Sequence, residues 1–276
     1  MRGAGRGLGR GLSYIARNRF EMGKRHLRRV LGPDASEDEV EAKTREMFAS
    51  YGRYWAEVFW FRPRRKDEVL ARVEISGLEP VFAARDSNRG MIFALPHIGN
   101  WDAAGAVAEA IGVPVMAVME DLPNPMITEW FHNTRRAFGI VPILAGKGDT
   151  TRLLLRYLKG GGAAALVSDR DLTRRGVDVE FFGEKTTMPA GPVALADRTG
   201  AALFPVGAFF DDGAGYRMVV YPELEIPDHP DRSERIAVGT QELAHRLEEM
   251  IRAHPEQWHV IQPNWPSDRE WLEARR

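Results

Sequence analysis

The chain has 276 residues, of which 44% are hydrophobic and 28% charged, carries a formal net charge of −1 and contains no cysteine. This composition excludes wholesale disorder and fibrous repeats, and the absence of thiols excludes disulfides and thiolate metal sites, which fits a reducing compartment. No run reaches the ~18 to 20 uncharged apolar residues that span a bilayer, and the arginine-rich start lacks the apolar core of a signal peptide.

Charge is nevertheless unevenly placed: residues 1–30 hold nine Lys or Arg against one acid, Glu21. The opening MRGAGRGLGRGL is rich in Gly and Arg without helical or strand periodicity, so it reads as mobile or as ordered only on a surface. Residues 1–29 read as a basic flexible or amphipathic extension, suited equally to solvent and to an anionic membrane surface, and residues 30–276 as a single domain. Nucleic acid is a poorer partner, because no stacking aromatics interleave these basic residues.

From Ser36 the series SEDEVEAKTREMFASYGRYWAEVFWFRP predicts a helix, capped by the serine, with acids in its first turn and Pro63 at its end. Phe48, Tyr51, Trp55, Val58 and Phe59 recur every three or four residues along it, a stripe that predicts core packing ahead of a lipid-facing surface. Five apolar runs then alternate with helical stretches: MIFAL, VPVMAV, GIVPIL, AAALVS and AALFPVGAFF. They predict an α/β fold with a central, mostly parallel sheet flanked by helices, preceded by a helical N-terminal extension. The later YRMVVYPELEI alternates more and reads as an edge or antiparallel strand.

The string LPHIGNWD follows the first of these strands, at the sheet edge where ligands collect in open α/β folds. Gly99 allows a tight turn, Asn100 can cap the helix NWDAAGAVAEAI, and Asp102 falls in that helix's first turn. A carboxylate there could bond the nearer ring nitrogen of His97 and leave the other to accept a proton, a general-base pair. Metal binding is disfavoured, because no further His or carboxylate lies at ligand spacing. A nucleophilic mechanism lacks its residues too, since there is no cysteine and no G-x-S-x-G elbow.

Three strings together carry a family resemblance: PHIGNWD, SDRDLTRRGVDVEFFGEKTTMPAGPVALADRTGAALFPV and HPEQWHVIQPNW. Over about residues 40 to 265 the chain resembles the lysophospholipid acyltransferase superfamily, within it the lipid A lauroyl/myristoyl acyltransferase branch, and most closely the phosphatidylinositol mannoside acyltransferases. The resemblance implies a glycerolipid acyltransferase-like fold and transfer of a fatty acyl group, palmitoyl by expectation, from acyl-CoA to a sugar hydroxyl of a glycolipid. No cofactor is implied beyond acyl-CoA as co-substrate, and the implied place is the cytoplasmic face of the cell membrane, held peripherally. A lipid A precursor as acceptor, or a non-catalytic lipid-binding relative, are the rival readings.

Carried over residue by residue, the resemblance makes His97 the general base, Asp102 its orienting partner and Asp169 a second active-site acid, shorter by a methylene than the glutamate usual there. It gives Arg135 contact with the acyl donor, while Arg170, Arg174 and Arg175 offer bidentate donors to the phosphates of coenzyme A or phosphatidylinositol. The competing account of these arginines is a turn with internal salt bridges to Asp169 and Asp171. Thr186 and Thr187, beside the Pro-Ala-Gly-Pro turn, are expected to border the pocket, and the donor-binding set reads His97, Arg135, Arg170, Arg175 and Thr186. Glu180 reads as a solvent-facing strand residue. The remaining histidines, among them His132, His254 and His259, read as surface or structural, and Trp258 and Trp265 as packing.

Overall fold

The computed structural model describes residues 1–119, 124–144 and 149–275. Eleven α-helices are present among them, α1 (Arg2–Ile15), α2 (Arg17–Leu31), α3 (Glu37–Trp60), α4 (Lys66–Leu70), α5 (Glu79–Asp86), α6 (Trp101–Ala110), α7 (Pro125–Ala137), α8 (Thr150–Lys159), α9 (Gly191–Thr199), α10 (Arg232–Ala253) and α11 (Pro266–Glu273). The strands are β1 (Val73–Ser76), β2 (Met91–Leu95), β3 (Val115–Met119), β4 (Val141–Leu144), β5 (Ala163–Val167), β6 (Val177–Phe181), β7 (Glu184–Met188), β8 (Ala202–Phe210) and β9 (Tyr216–Val220).

Seven strands form the central sheet in the order β1-β9-β8-β2-β5-β3-β4, and β6 pairs with β7 as a separate antiparallel hairpin. The five apolar runs are the five strands β2, β3, β4, β5 and β8, all mutually parallel, so the α/β architecture read from the sequence is the observed one. Their hydrophobicity on both faces is explained by helices covering both faces: every residue of β2 and β8 is buried. YRMVV is β9 and runs antiparallel to β8, but it is not an edge, because the short VEIS segment, β1, pairs outside it. Four residues of mixed polarity carried too little pattern to announce that strand.

The α3 helix begins as its sequence dictates, with Ser36 and Glu39 forming a reciprocal capping box, a feature worth about 1 kcal/mol. Its aromatic stripe divides. Phe48 and Val58 are core, whereas Phe59 is 57% exposed and Trp55 36%.

The helical N-terminal extension is present, and its first twelve residues correct their reading as mobile. Residues 2–15 form a helix, with Gly5, Gly9 and Ser13 buried at four-residue spacing. A Cβ on Gly9 would lie 2.0 Å from the Phe48 carbonyl oxygen and one on Gly5 2.6 Å from that of Gly52, so the absence of side chains is what lets α1 and α3 touch backbone to backbone. The periodicity was present, but in glycine rather than in apolar residues. Gly3, Gly7 and Gly11 face open space, while Leu8, Leu12 and Ile15 project outward with Arg6 and Arg10.

Opposite effects are therefore expected from alanine on the two faces of α1. Gly9→Ala should destabilise by about 1 to 3 kcal/mol through overpacking, whereas Gly7→Ala should stabilise by up to ~1 kcal/mol through helix propensity. Thermal melts of the two variants check this, and equal shifts in one direction would refute the packing of α1 on α3.

Candidate active site

The site follows from strand register. β2 and β5 are parallel neighbours with Leu95 opposite Val167, and each strand ends there. Two residues further along each chain stand His97 and Asp169. The pairing is continued past the strands by the Ser168 amide donating to the Leu95 carbonyl at 2.8 Å.

His97 Nδ1 donates to Asp169 Oδ1 at 2.6 Å, and the His97 backbone amide donates to Oδ2 at 2.9 Å. A carboxylate only accepts, so the proton sits on Nδ1 and the Nε2 lone pair is left over. Among the described residues nothing bonds Nε2, and the side chain keeps 29% exposure. Asp169 is fully buried. Burial alone would raise its pKa, but the charge and two hydrogen bonds of His97 and the indole N–H of Trp258, 2.7 Å from Oδ2, together hold it below the usual carboxylate value. Asn264 completes the grip by donating from Nδ2 to the Asp169 carbonyl at 3.0 Å.

The carboxylate expected to orient His97 does not do so. Asp102 occupies the first turn of α6, capped by Asn100 as its sequence implies, yet it accepts from Tyr54 Oη at 3.0 Å and from Arg135 Nε at 2.6 Å. The cause is the turn at Gly99, with φ +56°, where a Cβ would meet the Ala208 carbonyl at 2.0 Å. That turn is sewn to β8 by Asn100 N and to Gln257 by Gly99 N. His97 is thereby aimed at the end of β5, while the helix carries Asp102 toward α3 and α7. Beside Asp102, Arg135 is burdened by burial, but the attraction of Asp102 outweighs it and keeps the guanidinium charged.

Asp102 and Arg135 are the charged residues of an apolar cavity beneath α6 whose walls include Ile75, Met218, Val206, Leu95, Val167 and Ala117, one or more from each of β1, β9, β8, β2, β5 and β3. Trp101 lines it and also meets His97 edge-on, with ring centroids 5.4 Å apart. The imidazole thus stands beside an apolar cavity.

Arg170 and Arg174 line a second, polar cavity on the Asp169 side, and Arg175 is exposed beside it. None of the three pairs with Asp169 or Asp171 as the competing account supposed. Asp171 instead accepts from Thr173, Thr187 and the Gly176 amide. Thr186 does not border either cavity; it is buried in the β6–β7 hairpin, its hydroxyl donating to the Asn264 carbonyl. Glu180 is exposed on β6, as its alternating context implies.

Two residues of the C-terminal string were undervalued as packing or structure. Trp258 is fully buried but also a hydrogen-bond donor to Asp169. His259 bonds Ser50 Oγ through Nε2 at 2.9 Å, its amide donates to the His97 carbonyl, and burial, helped by the nearby His97, lowers its pKa to about 3, so it stays neutral. No sequence signal marked either role, because both depend on a chain crossing of long range.

The profile of the bacterial lipid A biosynthesis acyltransferase family matches residues 1–267. The chain is 38% identical over 264 residues to a phosphatidylinositol mannoside acyltransferase of Mycolicibacterium smegmatis, covering 95% of this chain and 84% of that protein. With its counterpart from Mycobacterium tuberculosis the identity is 39% over 266 residues, 94% and 81% of the two chains. A lipid A biosynthesis acyltransferase of Haemophilus influenzae is 24% identical over 229 residues, 82% and 69% of the two chains.

Trp258→Phe removes one donor from Asp169 while keeping a large ring. A carboxylate with one donor fewer should hold the proton of the His97–Asp169 pair more tightly, so the acid limb of the pH–rate profile should move to higher pH, with kcat at neutral pH down about tenfold for one bond to a charged group. A pH–rate profile with an unmoved acid limb would show that the indole only packs.

Proposed function

The chain belongs to the bacterial lipid A biosynthesis acyltransferase family and is an acyltransferase, and from that premise we propose that it moves a fatty acyl chain, palmitoyl by preference, from acyl-CoA to a mannose hydroxyl of a phosphatidylinositol mannoside. The observation that carries the reading is the His97–Asp169 pair, standing next to an apolar cavity. The acceptor follows the printed activity of the two relatives that share over a third of their residues with this chain across most of its length.

In this mechanism the acyl tail lies in the cavity beneath α6 and presents its thioester at Trp101. Nε2 of His97 takes the proton of the acceptor hydroxyl as the oxygen attacks the thioester carbonyl, and the tetrahedral intermediate collapses to the ester with departure of the CoA thiolate. Asp169 holds the imidazole in the tautomer that can do this and stabilises the imidazolium formed. Asp102 acts one step removed, by keeping Arg135 charged and fixed in the cavity wall, where the guanidinium meets the donor. No cofactor takes part.

The membrane side of the reading rests on α1. No helix among the described residues is long and apolar enough to cross a bilayer. The outward Leu8, Leu12 and Ile15, flanked by Arg6 and Arg10, suit shallow insertion among anionic headgroups at the cytoplasmic face of the cell membrane.

Two expectations test this. His97→Ala should lower acyl transfer by about 10² to 10⁴-fold with the fold retained by circular dichroism; turnover near the parent rate, or exclusive acylation of a lipid A precursor in an acceptor panel read by mass spectrometry, would defeat the assignment. Leu8→Glu with Leu12→Glu should reduce cosedimentation with anionic vesicles without changing the melting temperature, since both side chains face solvent. Undiminished sedimentation would remove α1 from the docking surface.

A further inference from the structure

The polar cavity beside Asp169 contains more positive charge than the fold uses. Its volume is about 220 Å³, and Arg170, Arg174 and Arg269 contribute to its wall together with Gln262. Among the described residues, no hydrogen bond or ion pair engages any of these three guanidinium groups. Elsewhere the chain spends its arginines freely on carboxylates: Arg25 and Arg29 on Asp268, Arg53 on Glu57, Arg89 on Glu223.

Two carboxylates share the cavity, Asp171 and Glu273. Asp171 is committed to its own turn: one oxygen accepts from the amide and hydroxyl of Thr173, the other from the Gly176 amide and Thr187. Those four bonds hold Arg174 at φ +57°, a left-handed backbone that a non-glycine residue adopts at a cost and retains only where its surroundings impose it. Glu273 is exposed. The result is a concave, preorganised set of forked donors, the geometry that matches the non-bridging oxygens of a phosphate ester.

We propose that this cavity is a phosphate subsite that holds the phosphodiester of the acceptor lipid and so delivers its sugar to His97. The inference rests on the acceptor assigned above and adds the residues that recognise its headgroup. Arg170 directly follows Asp169, the partner of His97, whereas the apolar cavity reaches the imidazole through Trp101 and shares no residue with this one. Donor tail and acceptor phosphate therefore approach the base by separate walls. The cavity volume fits one phosphate with part of a ring, and is small for the adenosine and multiple phosphates of coenzyme A.

The test is a titration of the full chain, followed by phosphorus NMR, with two soluble probes: glycerophosphoinositol, which carries the acceptor's phosphodiester without its tails, and adenosine bisphosphate, which stands in for the phosphates of coenzyme A. Arg174→Gln and Arg269→Gln should each weaken glycerophosphoinositol about tenfold, the loss of one charge-assisted contact, and leave adenosine bisphosphate unchanged. Among the described residues neither side chain forms a hydrogen bond or ion pair, so melting temperatures should match the parent. Absence of glycerophosphoinositol binding by the parent, equal binding by parent and variants, or weakening confined to adenosine bisphosphate would each overturn the proposal. Since no turnover enters the titration, a chain that binds the headgroup but does not acylate a mannoside refutes the proposed activity and not the subsite.

Discussion

The site depends on one constraint, the parallel register of β2 and β5. With Leu95 opposite Val167, both chains leave the sheet at the same level, and a histidine and an aspartate two residues beyond become neighbours. The geometry is then over-determined: Asp169 receives the imidazole, the amide of the same histidine, an indole N–H and, at its own carbonyl, an asparagine side chain. A one-residue slip of either strand would turn every side chain to the opposite face of a sheet buried on both sides, so the hydrophobic packing that fixes register also fixes the pair. Core energetics and site precision are here the same quantity.

Two buried carboxylates tie the helical N-terminus to this arrangement. Glu57 on α3 accepts from Arg2 of α1, Arg53, Tyr216 and Asn100, the last being the cap of the helix that follows His97. Asp268 accepts from Arg25, Arg29 and His26 of α2 and from the amides of Asn264 and Trp265, and these partners, against the opposing effect of burial, hold its pKa far below the usual carboxylate range. A buried charge without partners costs several kcal/mol, and each of these has enough donors to remove that penalty. Removing α1 and α2 would strip a guanidinium from Glu57 and most of the donors from Asp268, so the basic start of the chain is structural as well as outward-facing.

How much of this could be read in advance follows the range of each interaction. The five parallel strands, the capped α3 and α6, the turn at Gly99 and the place of His97 just past a strand end were legible because periodicity, capping residues and glycine act over a few positions. The partner of His97 was not legible in local spacing; only the family resemblance placed Asp169 in the site, as a second acid. Asp102, five residues away, invited a local pairing, whereas the residue that bonds the imidazole stands 72 positions further on and becomes a neighbour only once strand order is known. Trp258 was hidden for the same reason. The start of the expected helical extension was hidden for another: the buried face of α1 is written in glycines, a pattern that hydrophobic periodicity cannot register although its four-residue spacing is as regular as any leucine stripe.

The two acids stand in different strings of the sequence and meet different demands. Asp169, bonded to the imidazole, has donors on both oxygens and no exposure. Asp102 has a different burden: it lies in the wall of an apolar cavity with a guanidinium against it, where either charge alone would be expensive and the pair, bonded also to Tyr54, is tolerated. Trp101, which precedes it on the helix, lines the same cavity and meets the ring of His97. The five-residue spacing from His97 to Asp102 thus builds the floor beside the imidazole, and the carboxylate that bonds the ring comes from the chain leaving the neighbouring strand.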